Sequence, residues 1–575
     1  MSTGSVVRPH PVANWPIRFP GRVVVSTLAV TLIVSAFGAL ARHEVALGVD
    51  PPAPPSAGPV KIDSAEALEG VEANRIRAMA LTAARQTRRL QETHVAEPAI
   101  KAVRVVYRKE ASIVLLARQA PYTLPELRAA FPAALTVDAA GVWVLREHVV
   151  VGPGARLLVA SPEVEELRLL STAGRFVTIA GWKATIELRG SAATALRVTS
   201  WDPVTNAPDA DRTDGRAYII AKGGLMDVAD AQFAALGFAT GESSGVAWRG
   251  WPGLPSRGSA VRSRFTDNYF GAYTFEAVDM SWTDNLFAGN VGYGFDPHDH
   301  SDRFTVTRNV AIGNGSHGMV FSRGCSGNVI RYNVSALNRG NGFVLDDGRV
   351  APDGDPRHAR PDPSNDNVIE ANVAWGNEAG IALEGASRNV VRANALAGNR
   401  VGVRLKDAST ANTLSGNVIG GSTIFGIDVY AASAGNAVGG NLIVGGKVGV
   451  VIGDSAGNQV EGNAISWITG RGIVLAGALE DTSVTANAIS GWGSTAIDTQ
   501  TARGLPEAAV TGNEIAGWVG PRPVGEVYTA GNFLRHHPAI AIWLGIFLLP
   551  LAWWLPARRR RLLFWRRSPA TSRAP

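Results

Sequence analysis

The sequence predicts a mainly β protein, a right-handed parallel β-helix with coils of about 22–24 residues. Three observations carry this. The 575 residues include 64 glycines and only 18% charged residues, a balance that favours turn-rich β structure over helix or disorder. Asn285, Asn309 and Asn333 stand 24 residues apart, and after an insertion Asn372, Asn394, Asn417, Asn441, Asn463 and Asn487 continue in steps of 22 to 24. A Gly-apolar-x-apolar unit recurs in the same rhythm at Gly294, Gly318, Gly342, Gly380, Gly402 and Gly426. Such a period suits three short strands per coil, and stacked Asn side chains form hydrogen-bonded ladders at a recurring turn. The Leu-x-x-Leu-x-Leu signature of a leucine-rich repeat, whose period overlaps, is absent.

In chain order, residues 1–42 form a basic tail and an apolar segment. Val23–Ala41 is 19 residues without a charge, about 28 Å as a helix and close to the thickness of a bilayer core. It reads as a signal anchor or, because Ala39-Leu40-Ala41 looks like a cleavage site, as a cleaved signal peptide. Residues 43–62 include the Pro-rich stretch Pro51–Pro59, a linker. Residues 63–140 read as a small α/β capping domain: a helix from Ser64 to about Leu90, short β runs over Ala102–Leu116 and a short helix over Leu124–Phe131. Residues 141–517 are the coils, opening with strand-like text over Val142–Val151. A linker at 518–537 leads to a C-terminal transmembrane helix at 538–556, whose 17-residue apolar run Ala539–Leu555 contains Pro550 and three tryptophans. Residues 557–575 are a basic tail.

The net charge of +6 is a feature of the ends. Four arginines in residues 1–42 and seven in 538–575, with no acid in either stretch, leave the middle of the chain at −5. A nucleic-acid partner, which needs a basic face, is excluded. The arginines flanking both apolar runs place both termini in the cytoplasm by the positive-inside rule, and everything between outside it. With one cysteine, Cys325, neither an intramolecular disulfide nor a cysteine-based zinc cluster is possible.

Within this regular text Asp296-Pro297-His298-Asp299 is out of character. Proline removes a ladder donor, and two carboxylates with an imidazole are a poor choice for packing. Strand periodicity assigns a geometry. In each Gly-apolar-x-apolar-x unit the second and fourth residues after the glycine point outward, and adjacent coils stack at about 4.8 Å. The outward column then reads Tyr273 and Phe275, Asp296 and His298, Val320 and Ser322, Val344 and Asp346, Ala382 and Glu384, Arg404 and Lys406, Asp428 and Tyr430. Pro297 points inward. The column is roughly 30 Å long, enough for several rings of an extended polymer. Arg323 follows Ser322, one coil from Asp299, with Asp347 in the same place one coil further. His317 falls at the groove edge. The polar, Pro-rich insertion Gly348–Ser364 leaves the coil beside the column, as a flap would.

Gly294-Phe295-Asp296-Pro297-His298-Asp299, then Ser316-His317-Gly318-Met319-Val320-Phe321-Ser322-Arg323, then Gly342-Phe343-Val344-Leu345-Asp346, resembles the periplasmic mannuronan C5-epimerases of alginate-producing bacteria. The likeness extends upstream through Arg189-Gly190, Ala235-Leu236-Gly237-Phe238-Ala239 and Tyr293-Gly294, and covers about Val142 to Asn417. It implies inversion at C5, turning D-mannuronate residues of a polymer into L-guluronate. It implies that His298 is the base, that Arg323 neutralises the substrate carboxylate, that water is the acid on the opposite face, and that no calcium or other cofactor is required. The chain departs from that family in its C-terminal apolar segment, its additional coils and the insertion at Gly348–Ser364.

The residues suit this chemistry. A C5 proton beside a carboxylate becomes removable once the carboxylate charge is neutralised, which a guanidinium does with paired hydrogen bonds. An imidazole at its ordinary pKa of about 6.5 takes the proton at neutral pH. Asp296 and Asp299 are expected to hold the ring in one tautomer, and Asp299 to orient Arg323. Arg404 and Lys406 are candidates for uronate carboxylates, Tyr273 and Tyr430 for sugar faces, and His317, Ser322, Asp346 and Glu384 for further substrate contacts. The partners implied are an acidic polysaccharide, the membrane through the terminal helices, and a polymer synthesis or export complex. No metal site is expected. A polysaccharide lyase using the same groove and a non-catalytic export scaffold remain open at this level. The expected location is the bacterial cell membrane, with the β-helix on its extracytoplasmic side.

Overall fold

The computed structural model describes residues 100–107, 110–173, 175–239, 244–348 and 361–520. The two apolar runs, the Pro-rich linker, the helix expected over Ser64–Leu90, the basic tails and most of the Gly348–Ser364 insertion lie outside them. Among the described residues no helix is long and apolar enough to cross a membrane.

Among the described residues the chain winds into three long sheets of 16, 15 and 18 strands, and successive coils pair in parallel. One coil shows the plan. Ser281–Thr283 lies in the second sheet, Leu286–Ala288 in the third and Phe295–His298 in the first. The next coil repeats it with Thr305–Thr307, Val310–Ile312 and Met319–Ser322. Strands this short cannot bury a face alone; stacking gives each one two neighbours and a continuous core. That core runs the length of the rod, with Phe265, Phe287 and Phe295 stacked at 5.1 Å and 5.4 Å between ring centres.

Asparagine ladders secure the corners. Asn285 donates from Nδ2 to Asn309 Oδ1 at 2.9 Å, Asn309 to Asn333 at 3.0 Å, and the series continues through Asn372. The structure adds two further ladders: one runs through Asn290, Asn314, Asn338 and Asn377, the other through Asn328, Asn367, Asn389 and Asn412. Each buried amide satisfies corner backbone groups that the sheets leave unpaired.

The N-terminal strands join these sheets. Glu110–Leu115 pairs in parallel with His148–Val151, and Ala102–Tyr107 pairs antiparallel on its outer edge. The short helix Leu124–Ala130 has Pro125 in its first turn and buries Leu124 and Leu127. The first sheet therefore begins at Ala102, and its N-terminal edge strand is antiparallel, unlike the parallel strands of the coils.

Candidate active site

The outward face of the first sheet holds the site. Pairing between strands sets Phe275 against His298, His298 against Ser322, Ser322 against Asp346, Asp346 against Glu384 and Glu384 against Lys406. A second row pairs Tyr273 with Asp296, Val344 with Ala382, Ala382 with Arg404 and Arg404 with Asp428. Between the strands Phe295–His298 and Met319–Ser322 the ladder is registered at its two ends, Phe295 with Met319 and His298 with Ser322. Pro297, which lacks an N–H, sits between them facing the core.

Asp299 is the hub. One carboxylate oxygen bonds His298 Nδ1, and the other takes Arg323 Nε at 3.0 Å. Asp299 and Arg323 follow their strands in left-handed backbone geometry, φ 34° and 58°, which turns both side chains toward the same groove edge. Gly348, at φ 71°, lies directly against Arg323: a Cβ there would come within 2.9 Å of the Arg323 Cβ. Ser322 donates to Asp346 Oδ1 at 2.6 Å, and the Gly348 N–H reaches the same oxygen at 2.9 Å. At the far end of the row Lys406 contacts Glu384 at 3.1 Å and Asp407 at 3.1 Å. Arg404 lies 3.4 Å from Glu378 and 3.8 Å from Asp428. Tyr430 closes the column, half-buried beside these charges.

The electrostatics depart from the expectation of an ordinary imidazole. Burial is the largest influence on His298 and would lower its pKa. The Asp299 hydrogen bond and the charges of Asp296, Asp299 and Asp346 together outweigh it and raise the pKa to about 9. Asp296 is 1% exposed, and its Oδ1 has no hydrogen-bond partner among the described residues. Burial, opposed by His298 and reinforced by Asp346 and Asp299, lifts its carboxyl to about 7. Burial also raises Asp346 and Glu384. Asp299, rather than Asp296, is the carboxylate bonded to the imidazole.

One further expectation is corrected. Tyr273 is packed rather than displayed: it joins Phe275, Phe238 and Tyr218 in an apolar cluster, and its ring centre is 6.2 Å from that of His298. His317 lies at the opposite end of the strand Met319–Ser322 from Arg323. It stacks on Tyr293 at 5.3 Å and accepts the Asn341 N–H on Nδ1 at 2.8 Å, which leaves the ring proton on Nε2. Burial, aided by Lys406, lowers its pKa to about 4, so it is neutral. Phe270, Tyr293 and His317 form a stacked aromatic border opposite Arg323, with Phe270 and Tyr293 at 5.0 Å.

Tyr293 is the residue that the column missed. Burial and the neighbouring Asp296 and Asp346 charges push its phenol well above the ordinary range, so it stays protonated beside the carboxylates. Its signal was in the sequence: it precedes Gly294 as His317 precedes Gly318. The insertion returns beside the site, where Asp362 O accepts the Gly324 N–H at 2.8 Å and the Asp362 carboxylate lies 3.3 Å from His300 Nε2. Among the described residues no group of three or more His, Cys, Asp or Glu side chains is placed to hold a metal ion.

Fold and groove together define a parallel β-helix that carries an ionisable row on one sheet. The family model described as "Right handed beta helix region" matches residues 245–352, and one described as "Periplasmic copper-binding protein (NosD)" matches residues 354–533. The chain is similar to mannuronan C5-epimerases. It is 33% identical over 195 residues to mannuronan C5-epimerase AlgG of Azotobacter vinelandii, covering 32% of this chain and 35% of that protein. It is 29% identical over 218 residues to the mannuronan C5-epimerase of Pseudomonas putida, covering 36% and 40%. The chain thus spans about two fifths or less of the length of these relatives. In fold it matches the crystal structure of the periplasmic alginate epimerase AlgG with a TM-score of 0.51 and 20% identity, over 72% of this chain and 86% of that one. The resemblance read from the motifs is borne out at the level of similarity and of fold.

Proposed function

We propose that the chain is a polymer-level C5-epimerase of a uronate polysaccharide, mannuronan or a similar polyuronate. The observation that carries this reading is the double contact of Asp299, which holds His298 and Arg323 as one unit on an outward groove.

The chemistry follows from that unit. A polymer lies along the first sheet with one uronate carboxylate at Arg323, whose charge lowers the cost of placing a second negative charge on the sugar. His298 Nε2, with Nδ1 engaged by Asp299, takes the C5 proton, and the electron pair of that C–H bond spreads into the carboxylate. Water returns a proton to C5 from the opposite face, which inverts the centre without cleaving the chain. His298 passes its proton to solvent and the site resets. With a pKa of about 9, the unprotonated ring is the minor form at neutral pH, roughly one part in a hundred, but a correspondingly stronger base. Lys406 and Arg404 lie where neighbouring uronate carboxylates of a polymer in the groove would fall. By the same resemblance the reaction needs no calcium.

The location belongs to this proposal. The two arginine-flanked apolar runs anchor the chain in a bacterial membrane, with the β-helix on the extracytoplasmic side, where it meets a polymer during synthesis or export. The deciding experiment presents the purified full chain with a panel of polyuronates in deuterated water, read by NMR. The expected result is deuterium at C5 with intact polymer. An unsaturated product absorbing in the ultraviolet identifies a lyase instead. No exchange on any polyuronate, with polymer export lost only when the whole chain is deleted, identifies a scaffold.

A further inference from the structure

The His298 row does not stop at Phe275. Strand pairing carries it three more coils toward the N-terminus, from Phe275 to Arg249, Lys222 and Trp182. Arg249 lies over the Phe275 ring with its guanidinium carbon 4.3 Å from the ring centre. At the end of this line Trp182 stacks on Trp251, with ring centres 5.0 Å apart and planes 29° from parallel, and both rings are partly exposed. The turn Trp251–Leu254 closes on itself: the Leu254 N–H donates to Trp251 O at 2.9 Å. Gly223 makes room for this turn. A Cβ on it would meet the Trp251 ring at 2.9 Å.

Beside this platform, at the corner between the first and second sheets, lies a hollow of about 390 Å³ lined by Gly223, Lys183, Arg156 and Arg257. Lys183 is exposed and has no ion pair among the described residues. The two arginines keep positive charge in excess because each shares its acid. Glu187 serves Arg156 at 2.9 Å and Arg189 at 2.6 Å; Asp279 serves Arg257 and, at 2.7 Å, Arg303. Flat apolar ring faces next to cations that outnumber their acids suit a sugar that carries a carboxylate: the ring's C–H face stacks and the carboxylate is drawn by charge.

We propose that the Trp182–Trp251 platform and the Lys183 hollow form a second uronate-binding site, about 19 Å from His298, which grips the polymer several residues away from the reacting sugar. The inference rests on the polyuronate reading above for its ligand class. A chain long enough to reach both places is held by two linked contacts, the second at high effective concentration. A short oligomer occupies only one.

Binding of size-fractionated mannuronate oligosaccharides to the full chain, followed by calorimetry, tests this, with neutral glucan oligosaccharides as control. In the parent protein, affinity rises steeply once oligomers reach the second site. Trp251→Ala and, as a surface change that leaves the packing alone, Lys183→Glu each weaken binding of long oligomers about tenfold. Neither changes binding of short ones, and the KM for polymer rises while kcat holds. Chain-length-independent affinity in the parent overturns the proposal, as does loss of short-oligomer binding equal to that of long. Unchanged long-oligomer binding in both variants does the same. Length-dependent binding without C5 exchange would overturn the epimerase reading and leave this site standing; C5 exchange without length dependence would do the reverse.

Discussion

Arg323 is tied to Asp299 across one coil, Nε to Oδ1 at 3.0 Å, with both side chains buried. Because the same carboxylate holds His298 Nδ1, the base and the cation cannot be repositioned independently. Asp299→Asn therefore disturbs both. The expected result is a loss of kcat of at least about a hundredfold. The His298 pKa also falls, because the charge that raises it is gone and a neutral amide is the weaker acceptor. Histidine NMR titration of the variant checks this; a pKa still near 9 would show that Asp299 does not set it.

His298→Ala and Arg323→Ala each remove one half of the unit. Both variants are expected to fold, since each side chain lies on the outer face of the sheet and outside the rod's apolar core. Turnover should vanish in both, while circular dichroism and the cooperative melt remain those of the parent. Full activity in either purified variant would sink the assignment.

The pH dependence carries a definite sign. If His298 is the base, kcat/KM at low substrate rises with pH and levels off near its pKa of about 9. An imidazolium acting as acid would instead lose activity above that pH. The same shift bears on stability. The folded pKa of His298 exceeds its unfolded value of about 6.5, so its contribution is fully present below that pH and disappears as pH rises through about 9.

Asp296 works in the same direction. Its carboxyl, raised to about 7 in the folded chain, is ionised in the unfolded chain from about pH 4 upward. Stability therefore falls between those two values as pH increases. Asp296→Asn is expected to raise Tm at pH 8 by a few degrees while lowering activity, a trade in which a buried charge is kept for chemistry. Melting curves of parent and variant from pH 4 to pH 9 test it; parallel curves would show that Asp296 carries no such cost.

Asn309 supports the frame rather than the chemistry. Its Nδ2 donates to Trp282 O at 2.9 Å and to Asn333 Oδ1 at 3.0 Å, and its Oδ1 accepts from the Asn285 N–H at 3.0 Å. Asn309→Ala strands several buried partners at once and should cost about 2–4 kcal/mol, measured by chemical denaturation. Asn487, near the C-terminal end of the same ladder, should tolerate the change better.

The part of the fold that repeats was legible along the chain. A spacing of 22 to 24 residues and a period of two within each strand sufficed to place Asp296 and His298 beside Ser322, Asp346, Glu384 and Lys406, and pairing in the structure follows that register. Covalent spacing translates directly into position when every coil has the same path. The second Asn ladder is written in the same spacing, at Asn290, Asn314 and Asn338, and the third at Asn328, Asn367 and Asn389.

What the sequence determined by itself is the rod, its register and which side chains share the groove, because repetition makes local spacing equivalent to spatial neighbourhood. Only tertiary structure decided the properties that depend on surroundings. The Asp299 hydrogen bond and the charges of three carboxylates outweigh burial and raise the His298 pKa to about 9. An apolar cluster takes Tyr273 into packing, and the length of the strand Met319–Ser322 separates His317 from Arg323. Charge states and exposure are sums over neighbours from many coils and loops, and no single repeat contains them.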